Sequence, residues 1–310
     1  MNSNYADFNR QYDELYEKTK AEKRKINIIY TTIIVTGLVV MGYFLFIYDV
    51  RRDTAEIIRN IGGAILIILY IRQKRLTRRL DAKFKQSVIP EMIKTVNPNL
   101  TYNAGVGHSE DEFMKTEIYT GSIDDFYSSD LVEGNIDKTH LKISFIAASV
   151  KQKTGKSTML VPVFEGTLVT LDFNKYFTGK TKIYTKDFIA KFEGLMNSFG
   201  DEYEKINLEN ADFNDKFIVY TTDVQQAFYI LSPNLIEKIM EIQSFNGTSR
   251  NMDVLFIDNR LYITFEDVHF LDMNKADNYT EQIALFQSEI KYFINMVEIL
   301  ELNNRIWSKE

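Results

Sequence analysis

The longest run without a charge, INIIYTTIIVTGLVVMGYFLFIY, covers 23 residues from Ile26 to Tyr48. As a helix it spans roughly 34 Å at about 1.5 Å per residue, enough to cross a hydrocarbon core of about 30 Å. Tyr30 near one end and Tyr43, Phe44 and Tyr48 near the other suit the two interfaces. The run is too long, starts too late and lacks the small-residue cleavage site of a signal peptide. A second uncharged run, Asn60–Ile71, is shorter and extends back through Ile57 and Ile58. That extension sets Glu56 and Arg59 at headgroup depth, where Arg59 can snorkel. The short link DVRRDTAE between the runs predicts a tight helical hairpin over residues 26–72.

Beyond the hairpin the period changes repeatedly. Ala82–Thr95 reads as a helical stem interrupted at Pro90, and NPNLTYNAGVGHSEDEF as a turn-rich join. His140–Val150 and Thr158–Phe173 are β-prone runs, with the polar KQKTGKS between them as a hairpin loop. Pro162 belongs on an edge or at a bulge, because it cannot donate to a ladder. KTKIYT and KFIVYTT predict further strands, and DVLFIDNRLYITFED predicts a hairpin turning at Asp258-Asn259. Helical spacing places Phe188, Ile189, Phe192, Leu195 and Met196 on one face, with Gly200 as the stop. Thr222 with Gln225 reads as a capping box, followed by Ser232 and Pro233 opening a helix that carries Leu235, Ile236, Ile239 and Met240. Asn278 and Glu281 begin a last long helix with a stripe at Ile283, Phe286, Ile290, Phe293, Ile294 and Val297. Together these predict an α+β chain: an N-terminal transmembrane helical hairpin, then a cytoplasmic domain with a mainly antiparallel sheet and packed helices.

Charge adds orientation. Residues 1–85 hold 16 Lys and Arg against 9 Asp and Glu, whereas the remainder holds 21 against 34. Lys18, Lys20, Lys23, Arg24 and Lys25 precede the first run, and Arg72, Lys74, Arg75, Arg78 and Arg79 follow the second. Both outer flanks therefore read as cytoplasmic. The five residues after the second run are candidate contacts for lipid headgroups. The acidic remainder is repelled by phosphate backbones, so nucleic acid is not an expected partner. The layout expected is a cytoplasmic segment 1–25, the membrane hairpin 26–72, a basic stem and linker 73–105, and a cytoplasmic domain 106–310.

Chemistry is sparse. The chain has no cysteine and three scattered histidines, His108, His140 and His269, none with a companion at ligand spacing. Gly-Lys-Ser at 155–157 resembles the tail of a phosphate loop, but Val150 stands where a glycine is needed and a β-prone run follows. Asp172, Asn174 and Lys175 form a set able to bind Mg²⁺ or phosphate, or to satisfy a turn. Glu209 with Asp212 and Asp215, and Asp223 at a helix start, are the remaining acidic candidates. Trp307 reads as core or interface. No catalytic, cofactor or metal residue is assigned.

Three stretches, Phe164–Tyr184, Ile206–Ile239 and Val254–Ile263, resemble a bacterial membrane family catalogued as domain of unknown function thirty-one thirty-seven, and DLVEGNIDKTHLKIS is similar too. Thr167 and Thr170 depart from the apolar or small residues that the family pattern carries there. The resemblance implies paired membrane helices before an α+β body and suggests a LemA-type membrane protein as partner; with the hairpin and its flanking charges, the expected location is the bacterial inner membrane. It implies no activity, substrate or cofactor. The expected function is a non-catalytic, membrane-anchored binding or scaffolding module facing the cytoplasm. The alternative is a membrane-associated enzyme that uses carboxylates or a metal.

Overall fold

The computed structural model describes residues 2–47, 52–154, 157–172, 177–186, 202–243 and 251–300. The predicted helix through Phe188–Met196 with its Gly200 stop, and Trp307, lie outside the described residues. The chain divides into two compact units, Met1–Val88 with Ala276–Ile283, and Ile89–Lys275 with Ala284–Glu310.

The first unit is built on an antiparallel helix pair. α1 runs Asn2–Ile47 and α2 starts at Arg52 and continues to Val96. Forty-six residues make a rod of about 69 Å, roughly twice a hydrocarbon core, so each helix joins an apolar segment to a polar extension without a break. Pro90 does not interrupt α2. The ring removes one backbone donor, and the buried Ile89, Met92 and Ile93 around it supply the packing that keeps the turn helical. The two helices touch in a regular register. Gly37 faces Leu66 and Gly62 faces Met41. Asn27 accepts from Gln73 at 3.0 Å, Lys23 pairs with Asp81 at 2.8 Å, and the buried Tyr16 meets Phe84 edge-on at 5.6 Å. Tyr16 also donates to the Ala276 carbonyl. Each helix contains a stretch long and apolar enough to cross a membrane, and none of either stretch is buried.

The second unit is α+β. Its strands are β1 (Leu100–Asn103), β2 (Asp125–Ile136), β3 (Thr139–Thr154), β4 (Ser157–Asp172), β5 (Thr181–Thr185), β6 (Glu204–Ile206), β7 (Phe217–Thr221), β8 (Met252–Ile257) and β9 (Arg260–Glu266). They form one sheet in the order β1-β2-β3-β4-β9-β8-β5-β7-β6, antiparallel at every pairing. The helices are α3 (Glu110–Met114), α4 (Ala211–Lys216), α5 (Val224–Ile230), α6 (Pro233–Gln243) and α7 (Tyr279–Ile299).

Local chemistry explains most of these boundaries. The β8–β9 hairpin turns at Asp258-Asn259, with Asp258 at φ 55° as a primed turn requires. Pro162 sits beside the one irregularity of the β3–β4 ladder, where Ala148 faces Phe164 but Ser149 faces Pro162, and β9 joins β4 only from Gly166. A missing donor is harmless at that edge. Ser232 accepts from Leu235 ahead of Pro233, and Asn278 from Glu281 at the start of α7. Two readings are corrected. The join before residue 115 is not all turn: β1 lies in it, and Ser109 with Glu112 forms a capping box on α3. The cap of α5 is Asp223, not Thr222, because Thr222 Oγ1 is engaged by the Lys180 amide.

The register sorts side chains to two faces of the sheet. One face carries Phe145, Val169, Ile183, Val219, Phe256, Ile263 and Phe265, all buried. Phe265 packs edge-on with Tyr292 and Phe293 of α7, an aromatic layer with ring centroids 5.9 and 5.7 Å apart. The other face is different in kind.

Candidate functional site

Alternation along β3, β4, β9, β8 and β5 puts Ser144, Thr170, Asp172, Arg260, Asp253, Lys182 and Tyr184 on the face away from Phe265. An apolar floor of Ile146, Phe164, Leu168, Leu255 and Tyr262 lies among them, closed by Phe113 of α3 and Ile118 just after it. Buried polar groups need partners. On this face they find them in three clusters.

Glu117 is the centre of the first. It follows α3 with a left-handed backbone, φ 52°, which turns its side chain toward β5. Its carboxylate accepts from Lys180, from Lys182 at 3.0 Å and from the Tyr203 hydroxyl at 2.7 Å. Lys182 is fully buried, and its ammonium lies 4.5 Å from the Tyr203 ring centroid. Burial alone would raise the Glu117 carboxyl, but the bonds from Lys180, Tyr203 and Lys182 outweigh it and hold the group down at about 2. Burial pushes the Lys182 ammonium below its ordinary value in spite of Glu117. Burial and then Glu117 raise the Tyr203 hydroxyl.

Asp253 is the second. It is 2% exposed near the start of β8, accepts the Thr185 amide at 3.0 Å and lies opposite Thr264, whose hydroxyl is 3.4 Å away. Burial pushes this carboxyl up to about 7; the backbone bond from Thr185 opposes the rise and the charge of Glu266 adds to it.

His108 is the centre of the third. His108 is buried, with Nδ1 2.7 Å from Ser144 Oγ and Nε2 3.0 Å from Thr170 Oγ1. Burial, then Lys142, depress its ring to about 3, so it is neutral at physiological pH. Both ring nitrogens are occupied, and Ser144 Oγ also accepts the His108 amide at 3.0 Å, which is the arrangement of an interior strut. Thr170, the departure from the family pattern, is thus the hydroxyl that receives this histidine, and Thr167 donates to the Val268 carbonyl at 2.7 Å. His140 lies within β3, 3.5 Å from Glu133, and His269 stacks on Phe145 with centroids 3.8 Å apart.

The acidic candidates have separate settings. Asp172 ends β4 beside Arg260 at 3.8 Å, with both side chains partly exposed. Asp223 caps α5 by accepting from Gln226 at 3.0 Å and takes the Thr178 hydroxyl at 3.3 Å. Glu209 is exposed just ahead of the Asn210 cap of α4. Asp212 and Asp215 line an open depression of ≈ 650 Å³ with Lys216, Glu237, Met240 and Glu241. Asn174 and Lys175 lie outside the described residues. Among the described residues no three His, Asp or Glu side chains are grouped to hold a metal ion. Ser157 opens β4 directly, so Gly-Lys-Ser does not lead into a helix as a phosphate loop must. Arg72, Lys74, Arg75, Arg78 and Arg79 are all exposed along α2.

Sequence reading missed Glu117, Lys182, Tyr203 and Asp253. The only trace was a single charge inside a short β-prone run, as in TKIYT and MDVLFI, where all the other side chains are buried or nearly so.

Residues 162–302 match the family model described as Protein of unknown function (DUF3137). This is the family read from the sequence. The match takes in Lys180, Lys182, Tyr203 and Asp253, and leaves Glu117 and His108 upstream of the DUF3137 stretch. No curated protein matches the chain. Among solved structures the chain is similar to the crystal structure of the mycobacterial trehalose monomycolate transport factor A, TtfA. The two are 9% identical with a TM-score of 0.34, over 68% of this chain and 92% of that one.

Proposed function

We propose that α1 and α2 form a transmembrane hairpin in a bacterial inner membrane, and that the DUF3137-containing unit is a non-catalytic binding or scaffolding module on the cytoplasmic side. One observation carries the reading. The apolar parts of both helices are bare on the outside: Ile28, Val39 and Phe46 of α1 and Ile57, Ile61 and Ile68 of α2 are each more than half exposed. Leaving that much apolar surface in water costs about 25 cal/mol per Å², and lipid removes the cost. The hairpin register supports it, because Gly37 and Gly62 let the helices approach within the apolar region while charged and aromatic pairs take over beyond it.

The orientation follows from the charges flanking the two runs. The exposed Arg72, Lys74, Arg75, Arg78 and Arg79 are then positioned by sequence at headgroup level. On the family resemblance, a LemA-type membrane protein is the first protein partner to test. Extraction and crosslinking examine both parts. The chain is expected to stay with alkali-washed membranes and to be released only by detergent. Crosslinking in native membranes is expected to attach it to another membrane protein. Release by alkali without detergent counts against the anchor, and a purified full chain that turns over phosphoesters or peptides counts against the non-catalytic role.

A further inference from the structure

We propose that the projecting part of the β3–β4 hairpin, which carries Lys151, Lys153, Met159 and Leu160, is a second membrane contact, an arm that inserts into an anionic bilayer surface. Pairing of β2 with β3 stops at Ser149, and pairing of β9 with β4 starts at Gly166. Between these limits Val150–Thr154 and Ser157–Val161 pair in the sheet only with each other, as a two-stranded projection. Successive side chains on a strand point to opposite faces, so the exposure of both Met159 (59%) and Leu160 (53%) means that neither face of the projection is covered. Lys151 is directly paired with Leu160 and Gln152 with Met159, so one exposed apolar side chain has a cation beside it and the other a polar amide.

The charge of the arm is an exception to its surroundings. Ser149–Phe164 contains three lysines and no acidic residue, in a region after residue 85 that holds 34 acidic against 21 basic side chains. Lys151 is shared with Asp124 at 3.6 Å, and Lys153 is exposed. A cationic arm that carries two bare apolar side chains complements an anionic lipid surface, with lysines for headgroups and Met159 and Leu160 for the acyl boundary. Strand addition by a protein partner is disfavoured: lysines, Pro162 and the adjacent bulge are the devices that keep an edge from pairing. Tethering decides between occupants, because an anchored chain meets the bilayer at high effective concentration. The inference therefore rests on the membrane reading above.

The absence of cysteine makes the test clean. The full chain, carrying one polarity-sensitive fluorophore at Leu160→Cys or at Val39→Cys, is reconstituted in neutral phosphatidylcholine vesicles and in vesicles containing phosphatidylglycerol, with iodide on both sides. The label at 39 is expected to be protected in both. The label at 160 is expected to be protected and blue-shifted only in the anionic vesicles, and K151E and K153E are expected to weaken protection about fivefold each. Both substitutions are on exposed side chains, and circular dichroism confirms that the variants fold. Protection at 39 with equal quenching at 160 in both vesicles overturns the arm alone. Equal protection at 160 in both vesicles also overturns it, since contact would then be indifferent to lipid charge. Quenching at 39 in both vesicles overturns the membrane reading itself.

Discussion

Gly62 of α2 lies directly against Met41 of α1: a Cβ at position 62 would stand 2.8 Å from the Met41 sulfur. At Gly37 the nearest neighbour is Leu66, with a Cδ at 3.2 Å. Small residues set the spacing of the pair where both helices are apolar on the outside; in the proposed membrane setting, approach there depends on packing and not on hydrophobic driving force.

A larger side chain at 62 should separate the helices. Gly62→Ala can be absorbed by rotation of Met41, whereas Gly62→Leu cannot, and overpacking of that kind costs about 1–3 kcal/mol. Thermal unfolding of the detergent-solubilised chain, followed by helical circular dichroism, is expected to show little change for the first and a clear loss for the second. Equal melting for all three proteins would mean that the close approach is not an energetic contact.

Removing the Glu117 charge should strand Lys182. Breaking a buried ion pair costs about 3–5 kcal/mol, and the low end applies because Glu117 is partly exposed. With its folded pKa already depressed by burial, Lys182 without Glu117 sheds its proton more readily. The folded state then binds fewer protons than the unfolded chain, so E117Q should gain stability more steeply than wild type as pH rises from 7 toward 10. K182M should be milder, and the double variant E117Q/K182M less damaged than the sum of the two. Denaturation midpoints at pH 7 and 9.5 give both comparisons.

Asp253 should impose the opposite slope. Its folded value of about 7 lies above the ordinary 3.8, so between those limits the folded state keeps a proton that the unfolded chain releases. The stability it contributes is fully present below pH 4, is lost as pH rises through about 7, and is flat beyond, with a slope of at most about 1.4 kcal/mol per pH unit. Asp253→Asn, which can still accept from Thr185, should remove that component. Parallel stability profiles of variant and wild type across pH 4–8 would show that Asp253 does not titrate there.

Asp223→Ala should cost about 1 kcal/mol through the lost cap on α5, and Asp223→Asn much less. Chemical denaturation separates the two; a loss shared by both variants would point to the Thr178 contact and the charge instead.

The contrast between Thr222 and Asp223 also shows what was legible in the chain. Ladders and long helices follow from periodicity, so the β8–β9 hairpin and the start of α7 were readable residue by residue, whereas the β3–β4 pair was readable only in its apolar part: the polar KQKTGKS reads as loop, yet Lys151–Thr154 and Ser157 continue the ladder. Pro162 was placed correctly because a missing donor has few tolerable sites. Thr222 misled because a capping pattern is local, whereas its hydroxyl is taken by Lys180, 42 positions away. The Glu117 cluster was invisible for the same reason: Glu117 and Lys182 are 65 positions apart and meet only when α3 closes over the sheet. β1 was missed because four alternating residues are too short a run to show a period, and β2 because its alternation is broken by the irregularity between Ser129 and Val132.

The proposed cytoplasmic placement of the α+β unit depends on the hairpin crossing the bilayer, and one labelling experiment addresses it. Thr54→Cys, exposed near the start of α2, and Asp215→Cys, exposed on α4, are each the only thiol in the chain. In intact bacterial cells a membrane-impermeant maleimide should modify position 54 and leave 215 untouched until the cells are permeabilised. Modification of 215 with protection of 54, or equal modification of both before permeabilisation, would contradict the account.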